Sequence, residues 1–332
     1  MGREVIKEKL GLGGVAIGNG FKVLSDKEAD KTLEAAWDAG IRYYDTSPWY
    51  GLGLSERRFG HFLHNKKKDD YILTTKVGRV LSATKNILET MWNEPAPFDY
   101  KYDYSAKAVR RSIEDSLQRL GIESIDYVFI HDLSPDHNDE YKDGTTWLDH
   151  FEVARKGAMP ELTKMREEGL IKGWGLGVNT IEPIVKTLEE TDADPDIFLS
   201  AIQYSLVDHK KSLDELFPSI EKHNVGLITA APFNAGLLSG QDRYNYSGDM
   251  PEEKVKRLNG IKEIAKKHNV DLSTASLQFS YAPKIVNTVL AGASKPKQVQ
   301  ENAKAFDIKI PSQFWEDLKK ENLIDERAEV PE

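Results

Sequence analysis

Strand-like and helix-like segments alternate along the whole of this 332-residue chain, and this alternation most restricts the folds open to it. Each of eight short segments rich in β-forming residues is followed by a segment with helical patterning. Repeated βα units favour a parallel sheet, and eight of them without a linker predict a closed (β/α)8 barrel. The predicted strands lie at residues 15–17, 41–45, 71–77, 126–131, 172–178, 199–203, 225–230 and 286–292.

The predicted barrel carries two long loops and one extra helix. Residues 78–104 follow the third strand and residues 132–157 follow the fourth, and both stretches exceed ordinary connector lengths. A helix predicted at 311–321 follows the last βα unit. We therefore expect an α/β protein, a (β/α)8 TIM barrel forming a single domain over residues 1–332. A doubly wound open sheet fits less well, because eight units are present and no topological switch point is evident.

Composition and charge argue against several classes of function. The formal net charge of -9 argues against nucleic acid as the main partner. The absence of cysteine excludes disulfides, thiolate nucleophiles and cysteine-ligated zinc. The N-terminal residues lack the apolar core of a signal peptide, and no run approaches the roughly 20 apolar residues that a membrane span needs. We expect a cytoplasmic protein that does not cross a membrane.

Four reactive side chains fall at or near the ends of consecutive predicted strands. Asp45 ends the second strand and Tyr50 lies in the loop that follows it. Lys76 is near the end of the third strand, and His131 ends the fourth. The carboxyl ends of barrel strands meet at one rim, so we expect these side chains to share a pocket. There Lys76 would lower the pKa of Tyr50, and the group could move a proton on or off an oxygen atom.

Other interpretations of these residues stay open. A strand-end lysine more often reaches solvent, and a histidine on a strand is more often a hydrogen-bonded core residue. The set His131, Asp132, Asp136 and His137 has the side-chain types of a metal site, but we expect no metal because Asp136 and His137 lie in a polar insertion. Residues 11–16 fit the dinucleotide fingerprint G-x-G-x-x-A, yet they lack the preceding strand and following helix that it requires.

Over nearly its full length the chain resembles the aldo-keto reductases. The order and spacing of the matching segments are more specific than any one of them. The resemblance implies a (β/α)8 barrel that binds a nicotinamide dinucleotide, NAD or NADP, without a Rossmann domain. The segments are D-T-S-P-W-Y-G-L-G-L-S-E, T-T-K-V-G, S-L-Q-R-L-G-I-E-S-I-D-Y-V-F-I-H-D and G-A-S-K-P-K-Q-V-Q-E-N.

The resemblance also implies roles for individual residues. Tyr50 would be the proton donor or acceptor, tuned by Lys76 and Asp45, and His131 would orient the substrate oxygen. The dinucleotide would contact Asn179 and Gln203 at the carboxamide, Pro232, Phe233, Leu237 and Ser239 at the pyrophosphate, and Ser294, Gln298, Glu301 and Asn302 at the adenosine end.

The choice between the two cofactors depends on the adenosine end. Gln298 stands where many NADP-using members carry an arginine, which favours NAD. Lys295 and Lys297 are near enough in sequence to take the place of that arginine. Both cofactors therefore stay open.

Within the family the chain most resembles the branch of D-threo-aldose (L-fucose) and L-galactose 1-dehydrogenases and pyridoxal 4-dehydrogenase. This implies oxidation of a cyclic hemiacetal to a lactone by direct hydride transfer, with Tyr50 as base. Trp49, Trp92, Asp132 and Trp147 would line the substrate pocket. Two alternatives stay open: an NADPH-dependent aldehyde or ketone reductase, and a cofactor-binding regulatory subunit like the β-subunits of potassium channels. We expect a small-molecule substrate and a monomer or small homo-oligomer.

Overall fold

The computed structural model describes residues 5–86, 89–141, 143–246 and 249–331, and its centre is a closed barrel of parallel strands. Eight strands form the barrel, and their order around it follows their order in the chain. The predicted (β/α)8 TIM barrel is therefore confirmed. In chain order the strands are β1 Leu10–Gly13, β2 Tyr43–Asp45, β3 Ile72–Val77, β4 Arg79–Ala83, β5 Phe98–Tyr102, β6 Tyr127–His131, β7 Gly173–Val178, β8 Ile197–Ala201, β9 Gly226–Ala230 and β10 Thr288–Gly292. All of these except β4 and β5 belong to the barrel.

Helices alternate with the barrel strands along the chain, and the predicted extra helix at the C-terminal end is present as the last of them. Among the described residues, none of these helices is both long enough and apolar enough to cross a bilayer. In chain order they are α1 Asp26–Asp38, α2 Leu54–Leu63, α3 Ala106–Leu120, α4 Trp147–Lys156, α5 Ala158–Glu167, α6 Glu182–Glu190, α7 Phe217–His223, α8 Glu252–His268, α9 Leu272–Tyr281, α10 Pro296–Lys304 and α11 Ser312–Lys320.

Large side chains fill the interior of the barrel. Tyr43, Phe129 and Ile197 are completely buried there, and Tyr127 is 2% exposed. Ile6, which precedes β1, belongs to the same cluster and is also completely buried. A barrel filled in this way is a packed core and not a pore, so a ligand must bind in the loops at its rim.

The first strand lies earlier in the chain than the sequence predicts. It was expected at residues 15–17, but the strand is the glycine-rich segment Leu10–Gly13, and residues 15–17 form a turn beyond its end. A Cβ atom at Gly11 would come within 2.3 Å of the Tyr43 ring on β2. The glycine is therefore needed to make room for a buried tyrosine, although glycine is a weak strand former.

Both long insertions contain regular structure. In the first, β4 and β5 form an antiparallel hairpin in which Arg79 pairs with Tyr102. The second holds a short 3-10 helix, Pro135–Glu140, and then α4. Both insertions follow the carboxyl ends of barrel strands, as expected, and so they lie on the side of the barrel where ligands bind.

Two helical glycines give a test of how tightly the outer layer is packed. A Cβ at Gly60 in α2 would lie 2.1 Å from the carbonyl oxygen of Leu120, at the end of α3. A Cβ at Gly260 in α8 would meet only the tip of the Leu323 side chain, at 2.6 Å. We expect Gly60→Ala to lower the free energy of unfolding by about 1–3 kcal/mol, because backbone cannot move aside as a side chain can.

The matched variant Gly260→Ala should be close to neutral. Alanine in a helix gains about 1 kcal/mol over glycine, which offsets the displacement of Leu323. Urea denaturation followed by circular dichroism measures both changes. Equal destabilisation by the two variants would contradict the close approach of α2 and α3.

Candidate active site

A cavity of about 430 Å³ opens at the carboxyl ends of the barrel strands. Each of the eight barrel strands contributes a residue at or next to its last position. This is the arrangement in which side chains distant in sequence share one pocket. The strand-end residues that line the cavity are Gly13, Asp45, Lys76, His131, Val178, Ala201, Ala230 and Gly292.

Asp45 and Lys76 form an ion pair inside this rim. The Nζ atom of Lys76 donates to Asp45 Oδ2 at 2.6 Å and to the carbonyl oxygen of Thr46 at 3.0 Å. The hydroxyl of Thr74 donates to Asp45 Oδ1 at 2.7 Å. Burial raises the pKa of Asp45, against the opposing effects of Lys76 and Thr74, and burial lowers that of Lys76, against the opposing effect of Asp45. The structure thus joins these two predicted residues directly.

Tyr50 lines the same cavity, with its ring centroid 4.6 Å from Lys76 Nζ and 5.7 Å from the ring centroid of His131. The loop that carries it is held closely, since a Cβ at Gly18 would lie 2.7 Å from the Tyr50 carbonyl carbon. The sequence led us to expect a lowered pKa for Tyr50, and the structure shows the opposite direction. Burial and then the charge of Asp45 raise the pKa well above its ordinary value. Two of the three Lys76 ammonium protons are already donated to Asp45 and Thr46.

His131 is buried at the end of β6. Its Nδ1 atom lies 3.1 Å from the hydroxyl oxygen of Ser47, and its Nε2 atom lies 3.5 Å from Asp132 Oδ1. Burial lowers the pKa of His131 well below its ordinary value against the opposing effect of Asp132, and the nearby cations Lys76, Arg79 and His137 act in the same direction as burial. The imidazole is therefore neutral near pH 7.

A second set of charges surrounds Asp132, which also lines the cavity. Arg79 Nη2 lies 2.9 Å from Asp132 Oδ2 and 3.2 Å from Glu140 Oε2. His137 Nε2 lies 3.3 Å from Asp132 Oδ1. Although burial acts to raise it, the pKa of Asp132 is held well below its usual range by the neighbouring cations Arg79 and His137. Asp132 is thus an ionised acceptor on the cavity wall.

The histidines and acids of this region do not form a metal site in the structure. His137 makes its closest contact with Glu140 Oε1, at 2.8 Å. Although burial acts to lower it, Asp132 and Glu140 raise the pKa of His137 to about 10, so the ring is protonated near neutrality and has no free lone pair. Within residues 5–86, 89–141, 143–246 and 249–331, no three histidine or acidic side chains are arranged to hold a metal ion.

The residues predicted to hold a dinucleotide divide into two groups. The structure places five of them on the cavity wall: Asn179, Phe233, Ser239, Ser294 and Gln298. The other five do not line it: Gln203, Pro232, Leu237, Glu301 and Asn302.

Two contacts show where members of the second group lie. Gln203 Nε2 donates to the backbone carbonyl of Asn179 at 2.5 Å and so lies directly behind that residue. Glu301 faces Lys297 at 3.5 Å on the exposed side of α10. Of the two lysines considered as replacements for an arginine, Lys295 lines the cavity, whereas Lys297 is 84% exposed and does not.

None of the three predicted pocket tryptophans lines the cavity. Trp49 and Trp92 are buried and pack against each other with ring centroids 5.5 Å apart. Trp92 also supports Tyr50, at a centroid distance of 5.7 Å. Trp147 begins α4 and packs against Phe151. Trp49 and Trp92 thus lie behind the reactive residues and do not form the surface of the cavity.

The sequence did not point to several residues that line the cavity. Phe21 and Lys22 follow β1, and Arg243 and Tyr246 belong to the loop after β9. The Arg243 guanidinium lies 3.9 Å from the centre of the Phe21 ring, so the two loops touch. No motif marks these residues. The one available signal was chain position, because Phe21 and Lys22 lie between the first strand and α1, in a loop at the rim.

Comparison with known proteins gives a consistent result. Residues 9–322 match the family described as "Aldo/keto reductase family". The chain is 36% identical to a D-threo-aldose 1-dehydrogenase from a Pseudomonas species, over 95% of this chain and 94% of that protein. It is also 36% identical to a pyridoxal 4-dehydrogenase from Microbacterium luteolum, with the same coverage of 95% and 94%.

The fold is shared with solved structures as well. An aldo-keto reductase from Bacillus halodurans in its holo form matches with a TM-score of 0.70 and 23% sequence identity, over 100% of this chain and 98% of that one. The match covers the full length of this chain. This chain belongs to the aldo-keto reductase family and is an oxidoreductase of that family.

Proposed function

We propose that this protein is an NAD(P)-dependent dehydrogenase that oxidises the cyclic hemiacetal of an aldose, or of a pyridoxal-like compound, to a lactone. The observation that carries the proposal is the shared position of Tyr50, Lys76, Asp45 and His131 on one cavity wall. A phenol, a buried ion pair and a neutral imidazole can together move a proton at an oxygen atom. The similarity to an aldose dehydrogenase and a pyridoxal dehydrogenase supports the substrate class.

The lining of the cavity fits a nicotinamide dinucleotide. Lys22, Arg243 and Lys295 line it, and none of the three forms a salt bridge with another described residue. Cations that no acidic side chain neutralises suit the negative charge of a pyrophosphate. Asn179, supported by Gln203, offers an amide for the carboxamide. When bound, the dinucleotide accepts the hydride that leaves the substrate carbon.

The protein's own groups handle the proton and the developing charge. In its phenolate form, Tyr50 would accept the proton of the hemiacetal hydroxyl while the carbon–oxygen bond becomes a double bond and the hydrogen on carbon leaves as hydride. His131, being neutral, can donate a hydrogen bond to that oxygen without adding a charge. Asp45 would keep Lys76 in place beside the Tyr50 ring. In the reverse direction the same phenol would return the proton.

Asp132 favours a substrate with hydroxyl groups. Its carboxylate is ionised, lines the cavity and lies 3.5 Å from His131 Nε2. An ionised carboxylate accepts hydrogen bonds, so the reacting end of the cavity suits a ring that carries hydroxyl groups. Sugars and pyridoxal both satisfy this requirement.

Initial rates of cofactor reduction test the proposed function. L-fucose, L-galactose, D-arabinose and pyridoxal would be assayed with NAD⁺ and with NADP⁺ by nicotinamide absorbance. Turnover with any of the four supports the proposal, and the ratio of the two kcat/KM values measures the cofactor preference. Absence of turnover across the panel, with cofactor binding seen by fluorescence, would contradict it.

Tyr50→Phe should abolish most of the turnover. Removing the hydroxyl removes the proton acceptor, and general acid–base catalysis contributes about 100- to 10,000-fold. Cofactor binding, measured by fluorescence titration, should be retained. The matched control is Tyr204→Phe, which removes the hydroxyl of a buried tyrosine that does not line the cavity and has no hydrogen-bond partner among the described residues. Full activity in Tyr50→Phe would show that another group carries the proton.

The rate of oxidation should rise with pH through the alkaline range. The pKa of Tyr50 lies above its ordinary value of about 10, so the phenolate fraction grows about tenfold for each pH unit below that pKa. The logarithm of kcat/KM for the sugar should therefore increase with a slope near 1 between roughly pH 7 and pH 10. The residual rate of Tyr50→Phe should lack this slope. A plateau beginning near neutrality in the unsubstituted enzyme would contradict a base with a raised pKa.

A further inference from the structure

We propose that Ser47 is a positioning residue that holds His131 in the neutral tautomer carrying its proton on Nε2. The nitrogen atom nearer to Asp132 is then a hydrogen-bond donor, and the nitrogen atom facing Ser47 is an acceptor. The tautomer is assigned from contacts in the structure, whereas its effect on turnover rests on the proposed function.

The hydrogen atoms around Ser47 can be counted. The backbone N–H of Trp49 donates to Ser47 Oγ at 3.1 Å. Ser47 Oγ also lies 3.1 Å from His131 Nδ1, and the Ser47 side chain is completely buried. A serine hydroxyl has one proton to donate. With Trp49 already donating to the oxygen, that proton is directed to Nδ1, which must then be unprotonated.

The opposite tautomer would leave a buried donor without a partner. If Nδ1 carried the proton, Ser47 Oγ would receive two N–H groups, from His131 and from Trp49. Its own hydrogen would then have no acceptor among its contacts in the described part of the chain. Buried hydroxyl groups are rarely left in that state, because the lost hydrogen bond to water is not replaced.

The surroundings of Nε2 favour the same tautomer. Asp132 Oδ1 lies 3.5 Å from this nitrogen, and an ionised carboxylate can only accept hydrogen bonds. A proton on Nε2 is therefore attracted to Asp132, whereas an Nε2 lone pair would be repelled by it. The contacts on the two sides of the ring thus select one form of the neutral imidazole.

The location of Ser47 links this tautomer to the proposed reaction. Ser47 lies in the short connection between Asp45 and Tyr50, and the carbonyl of Thr46, its neighbour, accepts a hydrogen bond from Lys76. A single turn therefore fixes the ion pair, orients the imidazole and leads into the loop of Tyr50. Since Nε2 holds the proton, His131 is ready to donate to a substrate oxygen.

Histidine ring nitrogens can be observed directly by long-range ¹H–¹⁵N NMR of the full chain, with the His131 signals assigned through their absence in His131→Asn. The unsubstituted protein should show an unprotonated Nδ1 and a protonated Nε2 at His131 near pH 7. Ser47→Ala should shift His131 toward the Nδ1-protonated tautomer, and Ser47→Thr, which keeps a hydroxyl, should not. Ser55→Ala is the matched control, because its buried hydroxyl contacts Thr46 and Gly14 and not His131.

The proposal is overturned if His131 in the unsubstituted protein carries its proton on Nδ1, or if Ser47→Ala leaves the Nε2 tautomer unchanged. If Ser47→Ala does not fold, the proposal is judged by which His131 nitrogen is protonated in the unsubstituted protein and in Ser47→Thr.

Kinetics separate this proposal from the proposed function. Ser47→Ala should lower kcat about 10- to 100-fold, the range typical for removal of the hydrogen-bond partner that orients a metal-bound histidine, with an unchanged Kd for the cofactor. Ser47→Thr should restore most of kcat. An unsubstituted protein without dehydrogenase activity but with the expected tautomer change in Ser47→Ala would refute the function and support the role of Ser47.

Discussion

A lysine and an aspartate face each other inside the rim of the barrel with only 1% of each side chain exposed, and the candidate site is built around them. Burying an ion costs several kcal/mol even in a protein, and the cost is recovered only with good geometry and further hydrogen bonds. Thr74 supplies one such bond to Asp45, and the carbonyl of Thr46 accepts one from Lys76. The register of β2 and β3, which pairs Asp45 with Thr74, therefore serves stability and chemistry together.

The two insertions provide a second charged layer that the barrel alone does not contain. Arg79 begins the hairpin in the first insertion, and its guanidinium lies 4.0 Å from the centre of the Trp49 ring. His137 comes from the short helix of the second insertion, and both cations face Asp132. The strands thus hold Asp45, Lys76 and His131, while the insertions supply the two cations that face Asp132.

Local patterns in the sequence were sufficient to predict the barrel and to bring Asp45, Lys76 and His131 together at its rim. Asp45 and His131 end strands that are rich in β-forming residues and therefore easy to predict. The geometry of parallel strands then brings the two side chains together. Where packing overrides local preference, the sequence misled us. The β1 segment is half glycine, and Gly11 is required because Tyr43 fills the space beside it. Such a segment carries no strand signal of its own.

The state of a proton was harder to predict than the position of a side chain. A tyrosine near a lysine suggests a lowered pKa, but the effect depends on how many ammonium protons remain for the phenol. Asp45 and the carbonyl of Thr46 accept hydrogen bonds from Lys76 and so occupy two of its three N–H groups. The negative charge of Asp45 also opposes ionisation of Tyr50. The same counting identifies Ser47 as the residue that sets the His131 tautomer, although serine in a turn carries no distinctive motif. Residue types predict which groups meet, whereas the hydrogen bonds each group has already made determine which proton it can give or accept.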